Sequence, residues 1–379
     1  MLSSPARASK ISSLNPIPES PAGEIDLGVG IAELLHRQKY PLPAWAPSPM
    51  SALKVIITDF ITEPLSIERD VLGQEAEIVA LDAMGEKELV GQVEDATALI
   101  CYHYLSITRE TLERLTSCRV IVRGGVGYDN IDHVTARSHG IPVCNVPDYG
   151  TEEVADSTLG MILSLARGTH FLHSRLRRGV GEWSVEQAQP IPRLRGRILG
   201  IIGCGRIGSA VALRAKALGL RVIFHDPYVP DGLDKSLGIE RVDCLDELLE
   251  RSYIVSIHCP LTPETTNIIG AQELASMSPG SFLVNTARGG VVDTAAVVDS
   301  LAANHLRGAG IDVLEEEPPS ADSPILAAWR DPEHPAHDQL LLNPHAAFYC
   351  EEGSEEFRSK AARECLRAIR GEPLRNVVN

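Results

Sequence analysis

From Leu53 onward the chain alternates between apolar runs of strand length and polar stretches with helical spacing. The runs 53–59 (LKVIITD), 77–81 (EIVAL), 97–101 (TALIC), 119–123 (RVIVR) and 141–145 (IPVCN) each predict a strand, and the stretch 108–115 (TRETLERL) predicts a helix between two of them. Such alternation builds βαβ units around a parallel sheet. The spacing then predicts one long helix over 151–178, with Thr151 as cap and Glu152 and Glu153 in its first turn. A second α/β series follows, with strands near 198–202, 221–225, 253–258, 281–285, 308–313 and 339–342. Its near-continuous apolar runs suit strands covered on both faces. In 350–370, Phe357, Ala361, Cys365, Leu366 and Ile369 share one face, which predicts a docked C-terminal helix.

The first fifty residues break this pattern. They are rich in Ser and Pro, with no acidic residue before Glu19. We read 1–52 as a disordered extension with a short helix over 27–38 and a linker at 40–49. A transit peptide, or a true start at Met50, remain open alternatives. Elsewhere the composition is that of a globular protein, 44% hydrophobic and 23% charged in 379 residues, long enough for two domains. The net charge of −16 disfavours phosphate backbones, so no direct nucleic-acid role is expected. No apolar stretch approaches the roughly 18 residues a membrane helix needs. The eight cysteines form no CxxC pair and most lie in strand-like runs, so we expect buried thiols in a reducing compartment, not disulfides or a metal site.

Chemistry enters at "GIIGCGRIG". Gly203, Gly205 and Gly208 keep G-x-G-x-x-G spacing, follow an apolar strand and open a helix with Ile207, Val211, Ala215 and Leu218 on one face. The next strand ends in Asp226, 18 residues after Gly208. That context marks a dinucleotide site: a tight turn, close backbone approach to a pyrophosphate, and a helix N-terminus facing it. Asp226 can accept hydrogen bonds from the ribose hydroxyls and would repel a 2′-phosphate, and Pro227 and Tyr228 follow it, so NAD is favoured over NADP.

Ligands of such folds bind at strand carboxyl ends. Arg288 follows "SFLVNTA", Asp312 and Glu317 follow "RGAGI", and His345 follows "LLLNP". Core packing would not place these groups at successive strand ends. A histidine can move the hydroxyl proton of a 2-hydroxy acid, a carboxylate can orient it, and a guanidinium can grip the acid and polarise its carbonyl. Singly, each has an ordinary alternative: Arg288 a structural ion pair, Glu317 one member of the acidic run Glu315–Glu317, His345 a turn residue.

Together, "GCGRIG", "HDP", "NTARGGVVD", "GIDVLEEEPP" and "NPHAAFY" resemble the D-isomer-specific 2-hydroxyacid dehydrogenases, over about residues 53–379. "CYHYLSITRE", "VRGGVGYDNID" and "HAAFY" look closest to the C-terminal-binding-protein branch of that family. The resemblance implies a two-domain α/β protein, with a Rossmann NAD-binding domain (151–350) inserted into a flavodoxin-like substrate domain (53–150 and 351–379). It implies catalytic Arg288, Glu317 and His345. For the cofactor it implies Gly203, Cys204, Gly205, Arg206, Ile207, Asp226, Cys259, Pro260, Thr265, Thr286, Ala287, Arg288, Asp312, His345, Val126 and Val154. For the substrate it implies His103, Arg123, Arg288, Phe348 and the backbone N–H groups of Gly125, Val126 and Gly127. Phe348 stands where the corepressors of that branch carry tryptophan, which should widen the pocket. The loop between Glu317 and His345 looks longer than theirs and is expected to border the cleft. A cytoplasmic homodimer, formed largely through the helices flanking the cofactor domain, segment 158–178 and others among them, is also implied. The leading expectation is an NAD-dependent enzyme acting on a small 2-keto or 2-hydroxy acid. An NAD-sensing corepressor-like interaction protein and a 3-phosphoglycerate dehydrogenase are the alternatives.

Overall fold

The computed structural model describes residues 53–379, so the expectations for residues 1–52 lie outside the described residues. The chain builds two parallel sheets. The first contains β1 (Lys54–Ile57), β2 (Glu77–Ala80), β3 (Ala98–Cys101), β4 (Val120–Arg123) and β5 (Val143–Asn145), ordered β2-β1-β3-β4-β5. This is the flavodoxin-like strand order. The second contains β6 (Ile198–Ile202), β7 (Arg221–His225), β8 (Glu240–Arg241), β9 (Ile254–Ile257), β10 (Ser281–Asn285), β11 (Leu306–Ile311) and β12 (Leu340–Leu342). Its order, β12-β11-β10-β9-β6-β7-β8, is the doubly wound dinucleotide-binding arrangement with one further strand at the β12 edge.

Alternation along each strand explains the continuous apolar runs. Leu199 and Ile201 of β6 pack with Phe224, Val284 and the helix residues Leu159, Ile162 and Leu165 on one face. Ile202 points to the other face, with Leu248, Leu283, Val297 and Leu301. In the first sheet Val55, Ile57 and Ile100 face one core while Ile56, Leu99 and Cys101 face the other.

The C-terminal helix Glu351–Arg370 buries Phe357, Ala361 and Cys365 on the first sheet. Arg358 clasps the fully buried Glu68 side-on, Nε to Oε1 at 2.6 Å and a terminal nitrogen to Oε2 at 2.7 Å. Removing either partner of such a buried pair costs about 3–5 kcal/mol.

Three details differ from the sequence reading. The expected helix over 151–178 is two helices, Thr151–Arg167 and Thr169–Arg177, because Gly168 turns left-handed at φ 64° and caps the first. Strand β8, two residues at the sheet edge, carries too little pattern to be seen. Of the eight thiols, Cys101, Cys118, Cys144, Cys204 and Cys365 are buried, but Cys244 is exposed.

Candidate active site

A cleft of about 640 Å³ opens where the carboxyl ends of both sheets converge. Its walls follow β1 (Phe60), β3 (Tyr102, His103), β4 (Arg123, Gly124, and Val126 to Asp129), β6 (Gly205 to Ile207), β9 (His258 to Pro263), β10 (Thr286 to Arg288), β11 (Asp312) and β12 (His345, Ala347 and Phe348). Strand ends gather functional groups because the chain must turn there, leaving backbone and side chains unpaired by the ladder.

His345 sits in a left-handed conformation, φ 52°, in the turn after β12. Such a conformation persists only when its surroundings hold it. Here Asp312 does so. Its carbonyl accepts the His345 N–H at 2.7 Å. Its carboxylate accepts the N–H groups of Ala346 at 2.9 Å and Ala347 at 3.1 Å. Burial pushes Asp312 above the usual carboxylate range despite those two amides. Nδ1 of His345 lies 2.6 Å from Oε2 of Glu317. A carboxylate acceptor there fixes the proton on Nδ1 and leaves Nε2 for the cleft. Burial works against ionisation of Glu317, but the His345 hydrogen bond, the Leu314 amide and Arg288 hold it below the usual range. Its neighbours do other work: Glu315 caps the helix Thr294–Ala302 by accepting from the Thr294 amide and hydroxyl, and Glu316 is exposed.

The segment after β4 forms a cationic cradle. Arg123 is only 6% exposed, and among the described residues no carboxylate pairs with it. Its Nε has no acceptor. Burial and then Arg288 pull its guanidinium below the usual range. Gly125 and Gly127 give the two guanidiniums their room. A Cβ at Gly125 would lie 1.5 Å from an Arg123 nitrogen, and one at Gly127 would lie 1.6 Å from an Arg288 nitrogen. Gly125 does not act as a donor to the cleft as expected, because its N–H goes to the Arg123 carbonyl at 2.8 Å. The N–H groups of Val126 and Gly127 have no acceptor among the described residues. Asn145 fixes that loop by donating to the Val126 carbonyl at 2.7 Å.

Arg288 donates from Nε to Asp129 at 2.9 Å and from a terminal nitrogen to the Ala287 carbonyl at 2.9 Å. Its other terminal nitrogen is turned to the Gly127 backbone. Burial opposes ionisation of Asp129, but Arg288 outweighs it and holds Asp129 below its usual range. His103 faces His345 with ring centroids 5.5 Å apart. Burial, then Arg123 and His345, push it down to about 3, so it is neutral near pH 7. The fully buried Asp59 holds the residues on either side of it, accepting from the Tyr102 and Tyr104 amides at 2.8 Å each.

On the opposite wall Gly203, at φ 86°, makes the tight turn, and no side chain caps the helix Arg206–Ala217. A Cβ at Gly205 would meet nothing within 4 Å and its φ of −72° is ordinary. Glycine there leaves room beside a helix N-terminus with free N–H groups, which fits a pyrophosphate. Asp226 accepts from the Cys204 amide at 2.8 Å and the Tyr228 amide at 2.9 Å, so it braces the glycine turn and keeps further lone pairs for a ribose.

Of the residues expected at the cofactor or substrate, His103, Arg123, Val126, Gly127, Val154, Gly205, Arg206, Ile207, Cys259, Pro260, Thr286, Ala287, Arg288, Asp312, His345 and Phe348 line the cleft. Gly125, Gly203, Cys204, Asp226 and Glu317 stand behind that wall. Thr265 also stands behind it, its hydroxyl bonded to Thr262 and Pro260 within its own loop. The expectation that the loop from Glu317 to His345 borders the cleft is not met: no residue between Asp312 and His345 lines it. Instead Ile325 and Ala328 sink into the second-sheet core, and Asp338 pairs with Arg175 and Arg178. Asp59, Asp129 and Asn145 were not foreseen. Asp129 lies in the quoted "GYDN" beside the glycines, the one sequence signal available for it.

Residues 159–347 match the family model for the D-isomer specific 2-hydroxyacid dehydrogenase, NAD binding domain. A D-3-phosphoglycerate dehydrogenase of Methanocaldococcus jannaschii is 36% identical over 327 residues, 86% of this chain and 59% of that one. C-terminal-binding protein 1 of Caenorhabditis elegans is 37% identical over 313 residues, 81% of this chain and 42% of that one. The chain thus spans about half the length of these curated relatives. Among solved structures, D-lactate dehydrogenase from Aquifex aeolicus, complexed with NAD and lactic acid, superposes with a TM-score of 0.75 at 28% identity, covering 84% of this chain and 96% of that one.

Proposed function

The chain belongs to the D-isomer-specific 2-hydroxyacid dehydrogenases, and from that membership we propose that it interconverts a 2-keto acid and a D-2-hydroxy acid with NAD as cofactor. The observation that carries this reading is the His345–Glu317 pair at 2.6 Å in a cleft that also holds Arg288 and the Arg123 cradle. NAD, when bound, supplies or takes up the hydride at the substrate C2. Everything else falls to the chain. The Val126 and Gly127 amides and Arg123 hold the substrate carboxylate, and the free edge of Arg288 bridges carboxylate and carbonyl. In reduction, the carbonyl oxygen takes its proton from Nε2 of His345 as hydride arrives at carbon. In oxidation His345 receives the hydroxyl proton, and Glu317 stabilises the imidazolium without itself taking the proton. The balance is keto acid, NADH and one proton to hydroxy acid and NAD⁺.

His345→Gln tests this. Turnover on a panel of 2-keto acids should fall about 10²–10⁴-fold while NADH binding, followed by its fluorescence, is kept. Undiminished turnover would overturn the assignment. We also propose a homodimer through the region of 158–185. The helix Thr169–Arg177 buries none of its residues, and Trp183 and Val185 beyond it are 91% and 72% exposed. Light scattering should give twice the chain mass, and Trp183→Glu should give the monomer.

A further inference from the structure

Building on the dehydrogenase reading above, we infer that the substrate is a 2-keto acid with a single negative charge and a bulky apolar side chain, selected by Asp129 and by an aromatic wall anchored on Phe60.

The charge argument comes from counting groups around the carboxylate cradle. Two guanidiniums, Arg123 and Arg288, stand beside Val126 and Gly127. Asp129 already neutralises Arg288 through its Nε. One uncompensated positive charge is left, on Arg123, which matches one carboxylate. Lysine is absent from the cleft lining, and the remaining arginine there, Arg206, starts the helix on the glycine-turn side. A second carboxylate or a phosphate on the substrate would find no cation, and burying it unpaired is costly.

The shape argument comes from the rings. Two arms of aromatic side chains start at His345. One runs to His103 at 5.5 Å and on to Phe60 at 4.6 Å. The other runs to Phe348 at 5.9 Å, Tyr149 at 6.1 Å and Phe357 at 5.0 Å. All of these line the cleft. Phe60 is the informative member. It is held left-handed at φ 68°, a conformation that is an outlier for a bulky residue. The same turn contains Asp59, whose carboxylate pins Tyr102 and Tyr104 on either side of His103. Glycine would serve that turn with less strain, so the ring itself is what the position supplies. A substrate side chain leaving C2 between the two arms would meet rings and no unpaired charge.

The test compares kcat/KM for NADH-dependent reduction of 5-methyl-2-oxohexanoate and 2-oxoglutarate, in which an isopropyl group replaces a carboxylate. The apolar acid should be preferred by about 10²-fold or more. Asp129→Asn, which keeps the shape and removes the charge, should narrow that ratio about tenfold. Phe60→Gly, whose backbone accepts φ 68°, should also narrow it about tenfold, through a fall in kcat/KM for the apolar acid. Preference for 2-oxoglutarate or for the 2-keto form of 3-phosphoglycerate would overturn the inference and leave the dehydrogenase reading standing. So would a ratio that neither variant changes. Failure to reduce any of these acids would overturn both.

Discussion

Replacing Arg123 by methionine should leave the protein as stable or more stable, and far less active. The guanidinium is 6% exposed, no carboxylate among the described residues pairs with it, and its Nε has no acceptor. The hydroxyl of Tyr149 is a neutral partner for it. Exchanging a poorly compensated buried charge for an apolar side chain of similar length gains about 1–4 kcal/mol. Losing the Tyr149 hydrogen bond returns about 1 kcal/mol. The net, about 0–3 kcal/mol, should leave the apo melting temperature level or raise it by up to roughly 4 °C. The same exchange removes the unpaired cation of the cradle. Truncating one side of such a charged pair costs about 2–5 kcal/mol, so kcat/KM should fall roughly 30- to 4,000-fold. Calorimetry of both proteins with and without oxamate, a non-reducible analogue, separates these effects. Oxamate added to the NADH complex should raise the melting temperature of the native protein and leave that of the variant's NADH complex unchanged. A variant that melts several degrees below the native protein would refute the reasoning. It would mean that the fold itself compensates the charge.

Two glycines of the cofactor turn should separate binding from folding. A Cβ at Gly205 meets nothing within 4 Å, so Gly205→Val should melt like the native protein yet lose NADH affinity by about 10²-fold or more in a fluorescence titration; Gly208→Ala puts Cβ 2.2 Å from the Gly203 carbonyl and should lower the melting temperature. His103 gives a pH signature. Its folded pKa of about 3 lies below the usual 6.5, so the unfolded chain binds the extra proton between them, and stability is complete above pH 6.5 and declines as pH falls toward 3. At pH 5 this removes about 2 kcal/mol, which His103→Phe should restore in denaturant titrations at pH 5 against pH 7; equal pH dependence in both proteins would exclude His103 as the source.

Much of this is legible in the sequence, for physical reasons. Strands covered on both faces announce themselves as continuous apolar runs, and both sheets do so through residues such as Leu199, Ile202 and Ile56. The glycine turn is a local constraint, so its spacing survives in sequence. The proposed acid/base, its carboxylate and Arg288 could be picked out because they sit at strand ends, where polar side chains have no packing role. What stayed hidden depends on long-range geometry or on single backbone angles. The apolar pattern of 151–178 runs straight through Gly168, although the chain turns there. The Arg288–Asp129 pair joins residues 159 apart in the chain. Gly125 reads as a donor like Val126 and Gly127 until its amide is found on the Arg123 carbonyl. Nothing in "TDFIT" indicates that Phe60 is left-handed.

That hidden pair also explains how two sheets can make one site. Arg288 belongs to the β10 end and Asp129 to the β4 end, so the contact spans the cleft between them. Their side chains are 22% and 32% exposed, so solvent screens the attraction and its contribution to stability is at most about 1 kcal/mol. Its value is geometric. Nε points at Asp129 and one terminal nitrogen at the Ala287 carbonyl, so the planar guanidinium has one edge left, and Gly127 lacks the Cβ that would exclude it. That edge lies against Gly127, which comes from the other sheet. The groups proposed to hold the acid are therefore in register only while both sheets keep their relative placement. Packing on each sheet fixes the parts, and the glycine gap with its ion pair fixes how they meet.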